Sequence, residues 1–200
     1  MAKLNPMSNF TVTLESLRKA GACFRGYNKV VRAVQSREFS NDDRVRATYI
    51  RFAYKEPIPL LLIVESNGID DAIWALRCVN NCDRDVRLFA VWCARKVQHL
   101  MTDARSVAAL DVAENFANGR ASKDELIAAR AAAWDAARAV AWNAARAAAR
   151  SAAWDAAWDA ARSAAWDAAR AAAWDAARAA QKQMFIAMCN GTAPWQGDSK

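Results

Sequence analysis

The chain has 200 residues, with 28 Lys and Arg against 21 Asp and Glu, a formal net charge of +7, five cysteines and one histidine. That length suits one domain with an extension, or two small domains, and is enough for an ordinary core. A single histidine, His99, leaves little material for acid–base catalysis, and an odd set of cysteines without C-x-x-C spacing argues against both a disulfide framework and a zinc site.

The longest aliphatic run, Leu60 to Val64, is too short to span a bilayer. The first residues lack the apolar core of a secretory signal. These features predict a soluble cytoplasmic chain with no membrane association, with free thiols and with no metal or other cofactor. No phosphate-binding loop, dinucleotide fingerprint or nucleophile elbow occurs in the sequence, so catalysis is not expected.

In chain order, residues 1–12 read as an N-terminal arm and 13–119 as a domain of about six short helices. Thr13 caps a helix carrying Leu14, Leu17 and Ala20, which Gly21 ends. Cys23, Tyr27, Val30, Val31 and Val34 then repeat at helical spacing. Ser40 to Asp43 mark the next start, where acidic residues complement the helix dipole, and Val45, Tyr49, Phe52 and Ala53 are predicted to continue that helix. Leu60 to Glu65 is read as helix because nothing nearby offers a sheet partner. Asn67 and Gly68 stop it, and Asp70 and Asp71 begin another with Ile73, Trp74 and Leu76 inward. The segment from Asp83 to Leu100 places Val86, Phe89, Ala90, Cys93, Val97 and Leu100 on one predicted core face. Thr102 and Asp103 start a helix with Val107, Leu110, Ala113 and Ala117 inward, closed by Gly119.

Residues 122–189 are alanine-rich, with Trp or Arg at every fourth position and no glycine or proline. Ala and Arg favour helix, Ser122 and Glu125 form a capping-box pattern, and Asn190, Gly191 and Pro194 supply the stop before a tail over 190–200. The expected fold is therefore all-α, a small multi-helix domain followed by one long helix or by a hairpin that turns near Arg146 to Ser151. A strict four-residue period advances about 40° per repeat around a helix, so Trp134, Trp142, Trp154, Trp158, Trp166 and Trp174 spiral and no single flat neighbour covers them all. Each indole can bury about 150–250 Å². They are expected to meet the N-terminal domain, a second copy or a partner, with Arg138, Arg150 and Arg162 beside them as interface anchors. Nine Lys and Arg against seven Asp and Glu keep this stretch near neutrality, and i,i+3 pairs such as Asp135–Arg138 are local.

The excess charge lies elsewhere. Residues 1–55 hold eleven Lys and Arg against four Asp and Glu. Arg25, Lys29 and Arg32 share one helical face, and Arg44, Arg46 and Arg51 follow, a basic patch suited to an acidic surface or to nucleic acid.

Several motifs together point to a family. They are LESLRKAGAC (Leu14 to Cys23), NGIDDAIWALRC (Asn67 to Cys78), DRDVRLFAVWCARKVQHL (Asp83 to Leu100), ALDVAENFANGRAS (Ala109 to Ser122) and the Ala/Arg/Trp tail. Over about Leu14 to Cys189 the chain resembles bacterial immunity proteins with an Imm-5-like domain, found in polymorphic toxin systems. Where that family often carries a second cysteine ahead of Cys93, this chain has Val91. The resemblance implies a small helical antidote, without enzymatic activity, that binds and neutralises a protein partner such as a toxin or effector. A related expectation is a phage or mobile-element protein that blocks a host defence complex. Two further readings are a nucleic-acid binder using the basic region and a self-assembling homo-oligomer built on the tryptophan helix.

Overall fold

The computed structural model describes residues 10–101, 103–151 and 174–197, with the backbone alone at 100, 137 and 139–151. The fold is all-α, with one two-residue strand pair as the only sheet among the described residues. Packing divides the chain into two compact units, Met1–Val86 with Phe185–Lys200, and Arg87–Met184.

The first unit is built from short helices, each stopped by its own local chemistry. Helix α1 (Leu14–Lys19) begins at a reciprocal capping box, in which Ser16 N–H donates to Thr13 Oγ1 and Thr13 N–H donates to Ser16 Oγ, both at 3.0 Å. Helix α2 (Phe24–Val34) starts at Cys23, whose Sγ accepts from Gly26 N–H at 3.3 Å, and it buries Tyr27, Asn28, Val30 and Val31. Cys23 itself is exposed, so not every thiol is interior.

Helix α3 (Asn41–Val45) is only five residues long. The predicted helix through Ala53 does not form, and Val45, expected inward, is 83% exposed. The cause is tertiary. The wholly buried Asn28 donates through Nδ2 to Thr48 O at 2.9 Å and accepts from Ile50 N–H at 2.8 Å, and so holds the 46–57 stretch non-helical against α2. Asp43 caps α3 as the sequence implies, and it is also braced by Arg32, whose Nε and Nη2 donate to its two carboxylate oxygens at 2.8 Å each. Hydrogen bonding from Arg32 holds this carboxyl well below the usual carboxylate range, and the Ser40 N–H and hydroxyl add to the effect against the opposing influence of burial.

Strands β1 (Thr11–Val12) and β2 (Ile58–Pro59) pair antiparallel, Thr11 with Pro59 and Val12 with Ile58. No local pattern announces this pair, although the helix read after it does form, as α4 (Leu60–Ser66). Gly68 then takes φ +98, a left-handed-side conformation that a side chain would strain, and α5 (Ile69–Ala75) restarts the chain. Ala72, Ala75 and Leu76 are buried, whereas Ile73 and Trp74, predicted inward, are half-buried.

The C-terminal residues complete this unit. Phe185, Met188, Cys189 and Ala193 are buried, the Trp195 indole N–H donates to Asp85 Oδ1 at 3.0 Å, and Arg84 Nη1 donates to Trp195 O at 3.1 Å. Burial, with Cys82 nearby, pushes the Cys189 thiol up to about 12, so it stays protonated and unreactive.

In the second unit, helix α6 (Asp83–Lys96, of which 87–96 belong here) buries Leu88, Phe89 and Val91. The predicted core face was rotated from this one: Phe89 is shared, Cys93 is half-buried, and Ala90 and Val97 are exposed. Apolar residues occur on most sides of α6, so its sequence does not single out one stripe, and the helix ends at Lys96, before Val97 could extend the predicted one. Arg95 ties α6 to α7 (Ala104–Ala117) through Asp111 Oδ1 at 2.7 Å and Glu114 Oε2 at 2.8 Å. Asp103 caps α7, and a turn at Gly119 leads into α8 (Lys123–Ser151), which packs along α7. The Ser122 box forms as read, with Ser122 N–H donating to Glu125 Oε2 at 2.7 Å and Glu125 N–H to Ser122 Oγ at 3.2 Å.

Helix α8 runs without a break from Arg146 to Ser151, so the turn of the alternative hairpin does not fall within those residues. Residues 174–189 are helical and stop at Asn190 and Gly191 as predicted. Whether one helix joins 151 to 174 lies outside the described residues.

Candidate protein interface

Alanine supplies the helical propensity of α8, which frees its few large side chains from any duty to form the helix. Their orientation follows from helix geometry. Ala136 is fully buried, and Trp134, about 200° away around the axis, is 66% exposed. Ile127, seven residues before Trp134, shares its side and is 55% exposed. With the exposed Ala131 and Arg138 they form a stripe whose members fall within about 60° of one another and span about 16 Å. Trp174 is likewise 65% exposed, with the Arg178 guanidinium 5.9 Å from its ring centroid.

The same unit holds a hollow of about 290 Å³. It is lined by Arg87, Ala90 and Val91 of α6, Leu110, Ala113 and Phe116 of α7, and Leu126 of α8. Arg87 sits 5.1 Å from the Phe116 ring centroid, so a cation rims an otherwise apolar surface. The exposed indole and isoleucine share their stripe with Arg138, the composition of a protein-binding surface.

The six tryptophans named from the sequence thus divide by position. Trp134 and Trp174 are about two-thirds exposed, which leaves them open to a second copy or a partner, two of the neighbours the sequence allows. Trp142 and Arg150 lie on α8 where the backbone alone is described, and Trp154, Trp158, Trp166 and Arg162 lie outside the described residues. The hollow was missed because Leu110 and Ala113 looked like ordinary core positions. The i,i+7 relation of Ile127 to Trp134 was a signal that could have found the stripe.

The basic patch is also divided by its partners. Arg32 is spent on Asp43, and Arg46 Nε lies 3.9 Å from the same carboxylate. Lys29 sits 5.8 Å over the Phe39 ring. Arg25, Arg44 and Arg51 are exposed.

No group of three or more His, Cys, Asp or Glu side chains able to hold a metal gathers among the described residues, and no described helix is long and apolar enough to cross a membrane. No protein-family model, curated protein or solved structure matches this chain.

Proposed function

We propose that this chain is a non-enzymatic, protein-binding inhibitor of the immunity type, acting in the cytoplasm on a toxin or effector. The observation that carries the reading is the outward stripe of α8. An indole and an isoleucine are held on one helix with an arginine at the end, and the same unit carries an apolar hollow rimmed by a second arginine. Trp and Arg are the residues that most often dominate binding energy at protein interfaces, and a rigid helix presents them at little cost in conformational entropy. The charge of +7 favours an acidic partner.

The test is capture by the tagged full chain from nuclease-treated lysate of the cell that makes it. One protein recovered in stoichiometric amount, and lost when Trp134→Ala is combined with Ile127→Ser, supports the proposal. Capture that ignores both substitutions, or no protein at all, rejects it. Self-association by light scattering that is abolished by the same substitutions would show that a second copy occupies the stripe and would also reject it.

A further inference from the structure

The 46–57 stretch, read from sequence as partly helical, instead forms a strap that mixes aromatic rings and cations: Arg46, Tyr49, Arg51, Phe52, Tyr54 and Lys55. Its position is fixed by hydrogen bonds remote in sequence. Asn28 holds Thr48 and Ile50, and the Tyr49 hydroxyl donates to Ala22 O at 2.6 Å. Beyond these anchors Phe52 and Tyr54 present two nearly parallel rings, 11° apart in plane with centroids 5.7 Å apart.

These rings form one wall of a groove of about 580 Å³ within the first unit, with Tyr27 and Tyr49 also lining it. Three cations, Arg18, Lys19 and Lys55, line the same groove against one carboxylate, Glu15. Among the described residues none of the three cations is in a salt bridge, unlike Arg32, which is committed to Asp43. Arg18 lies 5.2 Å over the Tyr49 ring, so positive charge and aromatic surface are brought together at one place.

We propose that this groove binds single-stranded nucleic acid, with bases stacking on the Phe52–Tyr54 wall and phosphates drawn to Arg18, Lys19 and Lys55. The charge complementarity selects an anion, and the pair of parallel rings selects a flat one. Each nucleotide couples one planar face to one negative charge, so a strand satisfies both features at every step. An acidic peptide would answer the cations but leave the ring wall without a flat partner. A duplex keeps its base faces stacked inside and offers the rings only phosphate, sugar and base edges.

Fluorescence anisotropy of the full chain with a labelled oligouridylate and with a duplex of equal length tests the assignment. Binding of the single strand should exceed that of the duplex and should weaken as salt rises. Phe52→Leu and Tyr54→Leu, which keep apolar bulk but remove the ring, should each weaken it about tenfold. Lys55→Glu, an exposed change that leaves folding intact, should weaken it further and flatten the salt dependence, whereas Glu15→Gln should tighten it. Trp134→Ala should leave it unchanged, which separates this site from the helix stripe. No binding of the single strand overturns the proposal. So does equal binding of duplex that Phe52→Leu does not alter, or full competition by polyglutamate.

Discussion

The core of the first unit and helix α8 use large side chains in opposite ways. In the core, Val31, Ile58, Leu60, Ile63, Phe185 and Met188 are almost wholly buried, and nearly every position differs in shape from the next. Among the described side chains of α8 the one that is fully buried is an alanine, Ala136, while Trp134 and Ile127 face outward. A core of varied shapes gains its stability from dispersion and apolar burial, so each large residue is needed where it is. A helix of alanine holds its form through backbone propensity and close approach of small residues, so its large residues contribute little to folding and remain available for binding. The difference teaches that residue size alone does not mark the core of this protein.

The sharpest way to break the comparison is in the first unit. Phe185→Ala removes a ring with no solvent exposure and is expected to cost about 3–5 kcal/mol, measured by urea unfolding. Because Phe185 comes from the far end of the chain, such a loss would also show that the C-terminal residues are needed to close this core. Asn28→Ala should cost about 2–3 kcal/mol, since it leaves Thr48 O and Ile50 N–H without the partner that replaces a sheet neighbour. Amide exchange should then rise at Ile50 before it rises in α2.

The Arg32–Asp43 brace sharpens the same contrast through pH. The folded Asp43 carboxyl titrates below its unfolded value of about 4, so the brace contributes its full stability above that pH and loses it as the pH falls through the folded value. Asp43→Asn should therefore lower stability at neutral pH and remove part of the acid-dependent loss, read from unfolding midpoints between neutral and acid pH. In the second unit the expected effects are smaller. Ser122→Ala removes a cap from α8 and should cost about 1 kcal/mol, read as a lowered helical signal and unfolding midpoint.

What could be read from the sequence follows the range of the interactions. The caps at Thr13, Ser40 and Ser122 and the stop at Asn190–Gly191 are settled within a few residues, and each was legible. The strap was not, because the bonds that hold it come from Asn28, about twenty residues earlier, and nothing local to Thr48 announces them. The strand pair joins residues far apart in sequence, Thr11 with Pro59 and Val12 with Ile58, and was equally hidden. On α6 the helix was clear but its buried face was not, since Leu88 and Val91 on one side and Ala90 and Cys93 on another are all apolar, and only the neighbours decide. The tryptophan spiral was legible as geometry, but the choice among the N-terminal domain, a second copy and a partner as neighbours was not, and Trp134 and Trp174 are about two-thirds exposed.

The smallest expected change in stability is therefore the most informative. Trp134→Ala should cost less than about 0.5 kcal/mol, because a two-thirds exposed side chain on an alanine helix gives up little on removal, and alanine has the higher helix propensity. The same substitution should sharply weaken capture of the proposed protein partner, since an exposed indole in line with an isoleucine and an arginine has the character of an interface anchor. A loss of several kcal/mol in unfolding would place the indole in a core and erase the distinction between the two regions. A small loss in stability joined to a large loss in capture would establish that α8 spends its largest residues on recognition and leaves its own stability to alanine.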